Sequence, residues 1–421
     1  MHNKHFISTL EHMHMKIRSI ILATCLALSA VANAQTRFQL KVNNPMNIGR
    51  QDAPVLCRVT NDVRSALVTL NGTEIPCQLD DINGDGRFDE LCFLANIGAQ
   101  ETQTYNIELY VEGSPRQYEP RVYAEMMLTN NKIKEQNKQD LYISQLTVDR
   151  GVNPYWMLHH HGAAFESQLV AYRVYFDHRQ TVDIYGKYKQ GLELHDTQFY
   201  PDQAQKAAGY GDDVLWVGST LGLGTLRGWD GVKPTMVQDV EHRSQRIVSR
   251  GPLRTIIEVK TEGWTAQPGQ PPIDMTQRFT LYAGHRDCAV DITFSPNADK
   301  QQFATGIINV KNSTECFDKR GLRGCWGTDW PVSEKDSAGH KRETVGLGIS
   351  VPSANIVGQK EADKDNYVFV VRPLDGTLHY DIVFCSANES FGFHSEDEWF
   401  KYLKEWKQGL LNPVHAEVIK E

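Results

Sequence analysis

The sequence predicts an all-β protein with a small N-terminal β-sandwich, a larger β-rich domain and one C-terminal helix. Short runs of alternating apolar and polar residues, separated by Gly, Asn, Asp and Pro, fill residues 35–115, as in a small sandwich. Longer alternating runs follow from residue 120 and need two large packed sheets to bury their apolar faces. The polar stretch EGSPRQYEP at 112–120 is typical of a linker. We therefore expect domains at 35–115 and 120–421.

The C-terminal helix is indicated by apolar residues at helical spacing. Ser395 suits the N-cap position because its hydroxyl can accept a hydrogen bond from the first turn. The apolar positions that follow recur on one helical face: Trp399, Leu403, Trp406 and Leu410.

The N-terminal segment has the three parts of a secretory signal peptide. Lys16 and Arg18 supply a charged region after Met15, residues 20–31 form an apolar core, and Ala-Asn-Ala at 32–34 forms a cleavage site. The apolar core is too short for a stable membrane span, and no later segment reaches the required length. We expect translation to start at Met15, residues 1–34 to be removed, and the mature protein to be periplasmic or secreted without a membrane span.

The net charge limits the classes of partner that we expect, and the cysteine content limits the disulfide bonds. The formal net charge of −8 argues against nucleic acid, because that affinity rests on Lys and Arg neutralising phosphates. Export permits disulfides, and Cys316 and Cys325 are close enough in sequence to close a small loop. Other cysteines lie in apolar runs and are expected to be buried: Cys57, Cys92, Cys288 and Cys385.

The acidic loop DDINGDGRFDE at residues 80–90 admits two interpretations. A weak calcium site would use the oxygens of Asp81, Asn83, Asp85 and Asp89. However, Cys92 stands where an EF-hand needs a bidentate Glu, and the flanking runs are strands. We favour a hairpin turn in which Gly84 and Gly86 adopt positive φ. No cofactor is expected, and only a divalent cation is left open.

Three consecutive histidines stand out in the stretch YWMLHHHGAAFES. Adjacent strand residues point to opposite faces, so only His159 and His161 could share a metal ion, with Glu166 or His195 as a third ligand. We rank this metal site below two alternatives, an ordinary polar loop and an acid–base or substrate-contacting role for one or two histidines. His160 is the one we favour for catalysis.

The stretch AYRVYFDHRQTVDIYGK at residues 171–187 predicts two neighbouring strands, each with an apolar and a polar face. Alternation puts Arg173 and Tyr175 on the polar face of the first strand, and Asp183, Tyr185 and Lys187 on that of the second. A solvated outer face would explain either strand alone. Tyrosines beside fixed cations favour a concave surface that binds acidic sugars.

Two turns add candidate side chains. The loop at residues 200–213 contains Gly-Tyr-Gly around Tyr210, which could place a phenol over a site. Trp229 precedes Asp230 in a Gly-flanked turn and could stack on a sugar ring, although an ordinary turn explains this pair equally well. The motifs G-x-S-x-G and H-E-x-x-H and the P-loop are absent from the sequence.

Four ordered blocks of the sequence resemble one family. The blocks DDINGDGRFDELCFLANI, AYRVYFDHRQTVDIYGK, GDDVLWVGSTLGLGTLRGWDG and FCSANESFGFHSEDEWFKYL are together similar to the family catalogued as domain of unknown function 4861, over essentially the whole mature chain. The resemblance implies a secreted protein encoded with polysaccharide-degrading enzymes, with a large galactose-mutarotase-like supersandwich as its main domain. It also implies an oligosaccharide dehydratase that leaves a 4,5-unsaturated uronic acid, although fold likeness alone does not fix the chemistry.

Such an elimination needs a cation for the uronate carboxylate, a base for the C5 proton and an acid for the departing oxygen. On this hypothesis Arg173 neutralises the carboxylate with help from Lys187. His160 or His195 is the base, and Tyr210 or a second histidine is the acid. Further substrate contacts are expected from His159, Glu166, Tyr175, Tyr185 and Trp229.

Three functions are therefore open at the level of sequence. The leading one is elimination from a uronic-acid-containing oligosaccharide, by dehydration or by glycosidic lyase cleavage. The second is aldose 1-epimerisation, in which a carboxylate base and a histidine acid act on a free anomeric centre. The third is carbohydrate binding without catalysis.

We expect Arg173→Ala to lower turnover of a uronate oligosaccharide at least as much as His160→Ala or His195→Ala. Abstraction of a weakly acidic C5 proton depends heavily on the charge that stabilises the developing anion. The ultraviolet absorbance of the unsaturated product measures the rate. Near-normal turnover by Arg173→Ala would remove this residue from the mechanism.

Overall fold

The computed structural model describes residues 35–60, 62–267, 269–296 and 298–419. The chain divides into two compact units, one formed by residues 1–120 together with 408–421 and the other by residues 121–407. The predicted signal peptide at residues 1–34 lies outside the described residues. Among the helices that are described, none is long and apolar enough to cross a membrane.

The first unit is the predicted small sandwich, made of a five-stranded and a three-stranded antiparallel sheet. Its strands are β1 (Gln35–Asn43), β2 (Arg50–Arg58), β3 (Ser65–Leu70), β4 (Thr73–Ile75), β5 (Cys77–Asp80), β6 (Glu90–Ile97), β7 (Thr102–Tyr110) and β29 (His415–Ile419). Their order is β29-β1-β7-β3-β4 in one sheet and β2-β6-β5 in the other. Alternate residues such as Leu40, Phe93 and Ile107 fill the core between them.

The position of β29 differs from the sequence prediction, which placed all of 120–421 in the second domain. β29 pairs antiparallel with β1, with Gln39 opposite Ile419 and Asn43 opposite His415. Its short sequence lies beyond the helix and shows no partner by itself, since strand pairing is a non-local property.

The acidic loop is a hairpin connection between β5 and β6, with Asp80 opposite Glu90. Gly84 and Gly86 have φ of +84° and +85°, as the turn interpretation predicts. The side chains of Asp81, Asn83, Asp85 and Asp89 accept hydrogen bonds from backbone N–H groups of the loop. Within the described chain no three His, Cys, Asp or Glu side chains are arranged to hold a metal ion.

The second unit is a large β-sandwich. Its strands are β8 (Val122–Glu125), β9 (Met127–Leu128), β10 (Leu141–Tyr142), β11 (Gln145–Asp149), β12 (Gly162–Ser167), β13 (Ala171–Tyr175), β14 (Val182–Gly186), β15 (Asp212–Asp213), β16 (Arg227–Trp229), β17 (Pro234–Thr235), β18 (His242–Arg250), β19 (Arg254–Trp264), β20 (Ile273–Tyr282), β21 (Asp287–Phe294), β22 (Phe303–Ile308), β23 (Thr314–Phe317), β24 (Leu322–Asp329), β25 (Glu343–Ser350), β26 (Ile356–Gln359), β27 (Asn366–Val371) and β28 (Thr377–Ser386). The helices are α1 (Leu194–Thr197), α2 (Gln203–Ala207) and α3 (Glu396–Leu411), with short 3-10 turns at Gln136–Lys138, Ala298–Lys300, Glu334–Asp336 and Ser353–Asn355.

A nine-stranded sheet forms one layer of this sandwich. Its order is β11-β18-β19-β20-β21-β28-β25-β24-β23. Two five-stranded sheets, β15-β14-β13-β12-β8 and β17-β16-β22-β27-β26, contribute to the same core, and β9 pairs with β10. Tyr172 and Val174 of β13 and Val182 and Ile184 of β14 belong to that core, which confirms the predicted apolar faces. The all-β architecture with one C-terminal helix is thus as predicted.

The cysteines of the described chain are buried, including the four in apolar runs for which burial was predicted. The suggested Cys316–Cys325 disulfide is wrong. Across β23 and β24, Cys316 lies opposite Gly324 while Cys325 lies opposite Glu315. This offset of one residue points the two sulfur atoms to opposite faces of the sheet.

Helix α3 packs on glycines of β24 and β25. The Glu398 N–H donates to Ser395 Oγ over 3.4 Å, which confirms the predicted N-cap, and Trp399, Leu403 and Trp406 are buried. Gly324 and Gly348 face each other across the two strands. A Cβ at Gly348 would lie 2.4 Å from Leu403 Cδ2, so the helix needs bare backbone beneath it.

We expect Gly348→Ala to destabilise the protein by about 1–3 kcal/mol, because the added methyl group overpacks the contact with Leu403. Urea unfolding followed by circular dichroism measures the change. Gly358→Ala is the matched control, since its Cβ would lie 3.7 Å from Val370 and meet ordinary contacts. Equal stability of the two variants would contradict close packing of α3 on the sheet.

Candidate active site

The sheet β15-β14-β13-β12-β8 has one face in the core and an opposite face that we call the outer face. Directly paired residues share a face, and the register joins Glu125, Ala164, Arg173 and Asp183 in one row. The outer face carries these polar and aromatic side chains: Tyr123, Glu125, Glu166, Arg173, Tyr175, Asp183, Tyr185 and Asp213. It is not solvated, because Leu194 and Phe199 pack over Ala164, Ala171 and Tyr185.

Arg173 is the centre of this face. Nε and Nη2 donate to Asp183 Oδ2 at 3.1 and 2.5 Å, and Nη2 also donates to Asp213 Oδ2 at 3.1 Å and Tyr175 Oη at 3.0 Å. Nη1 donates to Tyr200 Oη at 3.1 Å, and the guanidinium lies 4.1 Å from the Phe199 ring centroid. We call Arg173, Tyr175, Asp183, Tyr200 and Asp213 the Arg173 cluster. The other members of this cluster accept hydrogen bonds from the guanidinium of Arg173. Arg173 therefore positions these residues rather than binding a substrate directly.

Asp213 is the accessible carboxyl group of the Arg173 cluster. Its side chain is 25% exposed, whereas that of Arg173 is 3% exposed. Burial and then the neighbouring charge of Asp183 raise the pKa of Asp213 well above its ordinary value, against the opposing effect of Arg173. Two carboxyl groups that bind one nitrogen atom do not ionise together easily. Asp213 therefore keeps a proton to a higher pH than an ordinary aspartate and can act as an acid.

The three histidines point to different surroundings. His160 is fully buried, with Nε2 2.9 Å from Glu125 Oε1 and Nδ1 3.2 Å from the Gly162 carbonyl oxygen. His159 is buried with its ring centroid 5.4 Å from that of Tyr200, and burial lowers its pKa to about 3. The favoured candidate, His160, thus has both ring nitrogens bound to protein and does not reach a ligand.

His161 is the half-exposed member of the run. Its ring stacks on Tyr155 at 3.8 Å and lies 6.0 Å from the Tyr175 ring. Nδ1 lies 2.8 Å from the Tyr155 carbonyl oxygen, which can only accept, so Nδ1 carries the proton and Nε2 keeps a lone pair. Burial, with the charges of Arg173 and Arg179, lowers the pKa of His161 to about 4. The residue also has φ of +63°, a strained conformation of the kind that concentrates at functional sites.

Arg179 adds a second cation beside His161. Its guanidinium lies 4.7 Å from the Tyr155 ring centroid and 4.8 Å from that of Tyr175. Nε and Nη2 contact Asp177 Oδ2 at 2.7 Å, and the side chain is 18% exposed. We call the half-exposed residues Tyr155, His161, Arg179, Tyr200 and Asp213 the rim of the site. The rim therefore combines a base (His161), an acid (Asp213), a cation (Arg179) and two phenols (Tyr155 and Tyr200) beside the Arg173 cluster.

Glu166 and Lys187 form a buried structural pair. Lys187 Nζ donates to Glu166 Oε2 at 2.5 Å and to the carbonyl oxygens of Ser167 and Gly191 at 2.7 and 2.5 Å. Glu166 also accepts from the backbone N–H groups of Glu193 and Leu194. This pair anchors the segment that covers the outer face, so the predicted substrate-contacting roles of both residues are not supported by their positions.

Tyr185 and Trp229 are also too buried to contact a ligand. Tyr185 is fully buried, and its hydroxyl donates to Glu193 Oε2 at 3.1 Å. Trp229 is 3% exposed and packs with residues of its own sheet, β17-β16-β22-β27-β26, so its ring is not available to a sugar. Both assignments relied on residue type, which does not show whether a ring faces solvent.

His195 and Tyr210 converge on Asp196 instead of on the Arg173 cluster. His195 Nδ1 lies 3.3 Å from Asp196 Oδ1, and the Tyr210 hydroxyl donates to Asp196 Oδ2 at 3.0 Å. The His195 side chain is 72% exposed. These two predicted catalytic residues therefore lie on the exposed side of α1. Of the predicted site residues, Arg173, Tyr175 and His159 come together, and His161, considered only as a metal partner of His159, lies beside them.

Sequence reasoning missed most of the rim and the second acid of the cluster. Tyr155, Arg179, Tyr200 and Asp213 were not singled out, and Asp183 was placed on the polar face without a role. The available signals were local ones. Tyr155 precedes the histidine run, and Asp213 ends an acidic pair before an apolar run of the sequence. The contact of Asp213 with Arg173, which is 40 residues away in sequence, is a tertiary property.

Comparison with known proteins gives a family and a fold. The family model described as domain of unknown function (DUF4861) matches residues 42–416. Two solved structures are similar: a protein in the glycosyl hydrolase family 38 from Enterococcus faecalis, with 7% identity and TM-score 0.50, and an alpha-mannosidase from Enterococcus faecalis V583, with 8% identity and TM-score 0.48. Each match covers 91% of this chain and 47% or 46% of the other, so the chain spans about half the length of these structures. At such identity the likeness shows the fold alone. No curated protein matches the chain.

The lowered pKa of His161 predicts a pH dependence of stability. A histidine with a folded pKa below its unfolded value binds more protons when unfolded, so its contribution is complete above pH 6.5 and is lost as the pH falls to about 4. His161→Asn, a residue type tolerated at positive φ, should flatten the pH dependence of the free energy of unfolding over this interval. Urea unfolding at stepped pH measures it, with the exposed His195→Asn as control. An unchanged slope in His161→Asn would contradict a neutral, partly buried imidazole.

Proposed function

The chain belongs to the DUF4861 family, as its sequence blocks predicted, and we propose that it is a carbohydrate-active enzyme that catalyses β-elimination on uronic-acid-containing oligosaccharides. The observation that carries the proposal is the composition of the rim. A neutral imidazole with a free Nε2, a carboxylic acid of raised pKa and a guanidinium group lie around one buried cation. Environments that push pKa values apart assign the roles of base and acid.

The proposed reaction uses three groups of the rim, His161, Arg179 and Asp213. His161 Nε2 takes the C5 proton of the uronate, and Arg179 neutralises the carboxylate so that this proton becomes acidic. The electron pair left on C5 forms the C4–C5 double bond and expels the oxygen on C4. Asp213 gives its proton to that oxygen, which leaves as water in a dehydration or as a sugar hydroxyl in a lyase reaction. His161 then returns a proton to Asp213 through solvent, so no co-reactant is consumed.

Arg173 acts behind these groups in this proposal. Its donors are occupied by Asp183, Asp213 and the two phenols, so it holds the acid in place and sets the potential of the site. Fixed charges in a water-poor site stabilise a developing anion more strongly than mobile solvent does. The sequence hypothesis, in which Arg173 itself gripped the carboxylate, is therefore replaced by one in which Arg179 does so.

The substrate class rests on two supports. The fold is shared with a protein described as belonging to glycosyl hydrolase family 38, from which we carry over carbohydrate as the substrate. The guanidinium group of Arg179 lies on the rim, and guanidinium groups suit an acidic sugar because they bind carboxylates in a bidentate manner. We also retain export to the periplasm or the medium as part of the proposal.

The test is incubation of the full chain with oligogalacturonides, oligomannuronates and oligoguluronates of two to six residues. Growth of the ultraviolet absorbance of an unsaturated uronate, with the matching mass change, supports elimination. Loss of water alone identifies a dehydratase, and a shortened sugar identifies a lyase. Faster mutarotation without new absorbance would favour the epimerase alternative. Saturable binding without any reaction would favour a binding protein.

We expect Asp213→Asn to lower kcat by about 10²- to 10⁴-fold, because the leaving oxygen loses its proton donor while the amide keeps a bond to Arg173. In wild type, activity should fall below about pH 4 as His161 becomes protonated, and at higher pH as Asp213 loses its proton. The variant should lose the alkaline limb and keep the acid limb. Initial rates across pH measure both.

Tyr210→Phe is the matched control for this experiment, since it removes one hydroxyl that contacts Asp196 and not the Arg173 cluster. We expect its kcat and its pH profile to match those of wild type. A normal alkaline limb in Asp213→Asn would exclude Asp213 as the acid.

A further inference from the structure

Trp156 projects from the histidine end of the rim. It is 75% exposed, and its ring centroid lies 4.7 Å from that of Tyr155 and 5.4 Å from that of His161, edge-on to both. The backbone beneath it is fixed, because Thr129 Oγ1 donates to the Trp156 carbonyl oxygen and the Thr129 N–H donates to that of Met157. A large aromatic ring held on a fixed backbone and left in water is typical of a binding surface.

Trp216 projects near the carboxylic acid end of the rim. It follows Asp213 by three residues, so the two Cα atoms lie within about 11 Å of each other. The ring is 48% exposed, and its backbone N–H donates to the Trp330 carbonyl oxygen at 3.3 Å. Two tryptophans are therefore exposed, one in ring contact with the proposed base and the other three residues after the proposed acid.

Each exposed tryptophan has a guanidinium group near one of the residues that it contacts. Arg179 lies over the Tyr155 ring, which contacts Trp156. Arg342 lies 5.2 Å from the ring centroid of Trp330, the residue whose carbonyl holds Trp216. An apolar ring beside a cation matches a sugar that combines a C–H face with an acidic group. A neutral sugar would leave both cations unused.

We infer that Trp156 and Trp216 are stacking platforms for acidic sugar residues on either side of the reacting uronate. This inference rests on the proposed function for the identity of the central residue. It deepens that function because it names the side chains that bind the sugars next to the reacting uronate. The acidic groups at the platforms are carboxylates or sulfates, which share the same recognition by guanidinium.

Binding measured apart from turnover tests the inference. Titration calorimetry on the full chain would compare galacturonate, tetragalacturonate and neutral cellotetraose, and a sulfated tetrasaccharide distinguishes sulfate from carboxylate. We expect Trp156→Ala and Trp216→Ala each to raise the Kd for tetragalacturonate by about tenfold or more, with little effect on the monosaccharide. Trp156→Phe and Trp216→Phe should restore most of the affinity. Val232→Ala, which truncates a side chain that is 82% exposed, is the matched control.

The outcomes separate the inference from the proposed function. Tight binding of tetragalacturonate that neither alanine substitution weakens would overturn the platforms and leave elimination to be judged by its own assay. If only one of the two alanine substitutions weakens the binding of tetragalacturonate, the other tryptophan is not a platform. Equal affinity for monosaccharide and tetrasaccharide would overturn the oligosaccharide inference. A wild-type protein that binds none of the acidic sugars would overturn both the inference and the proposed function.

Discussion

The bond between one buried guanidinium and two carboxyl groups is the constraint on which the rest of the site depends. Arg173 is 2% exposed, and a cation at that depth is tolerated only with charged and hydrogen-bonded partners around it. Its partners come from β13, β14, β15 and the segment after α1, so one side chain fixes three strands and a loop. A slip of one residue in the register would turn Arg173 into the apolar core. The same guanidinium makes the two aspartates chemically different, because it donates two hydrogen bonds to Asp183 and one to Asp213.

A second buried pair has a different task. Glu166 and Lys187 hold the segment that covers the outer face, and their bonds reach its backbone at residues 191, 193 and 194. Such pairs add little net stability, because desolvation opposes the attraction between the charges. Their effect is on geometry, since only one placement of the covering segment satisfies every donor. With that segment in place, water is excluded from Arg173 and the fields at Asp213 and His161 are strengthened.

Periodicity predicted the parts of the structure that are local. The alternation in β13 and β14 correctly placed Arg173, Tyr175 and Asp183 on one face, and the spacing of Trp399, Leu403 and Trp406 correctly predicted α3. Burial of that polar face could not be predicted, because the segment that covers it lies elsewhere in the sequence. The same limit explains the choice of His160 over His161, since adjacent histidines differ only in what the fold puts beside them. It also explains why Asp213 was missed.

The pairing of β29 with β1 completes the first sheet long after its other strands have been synthesised. At about 5–20 residues per second, roughly 300 residues must be added after the core of the first sheet before β29 can join it, which takes on the order of tens of seconds. Throughout that interval one edge of β1 has unpaired backbone groups, and such an edge can recruit strands from other chains. β29 therefore covers a strand edge that could otherwise promote self-association.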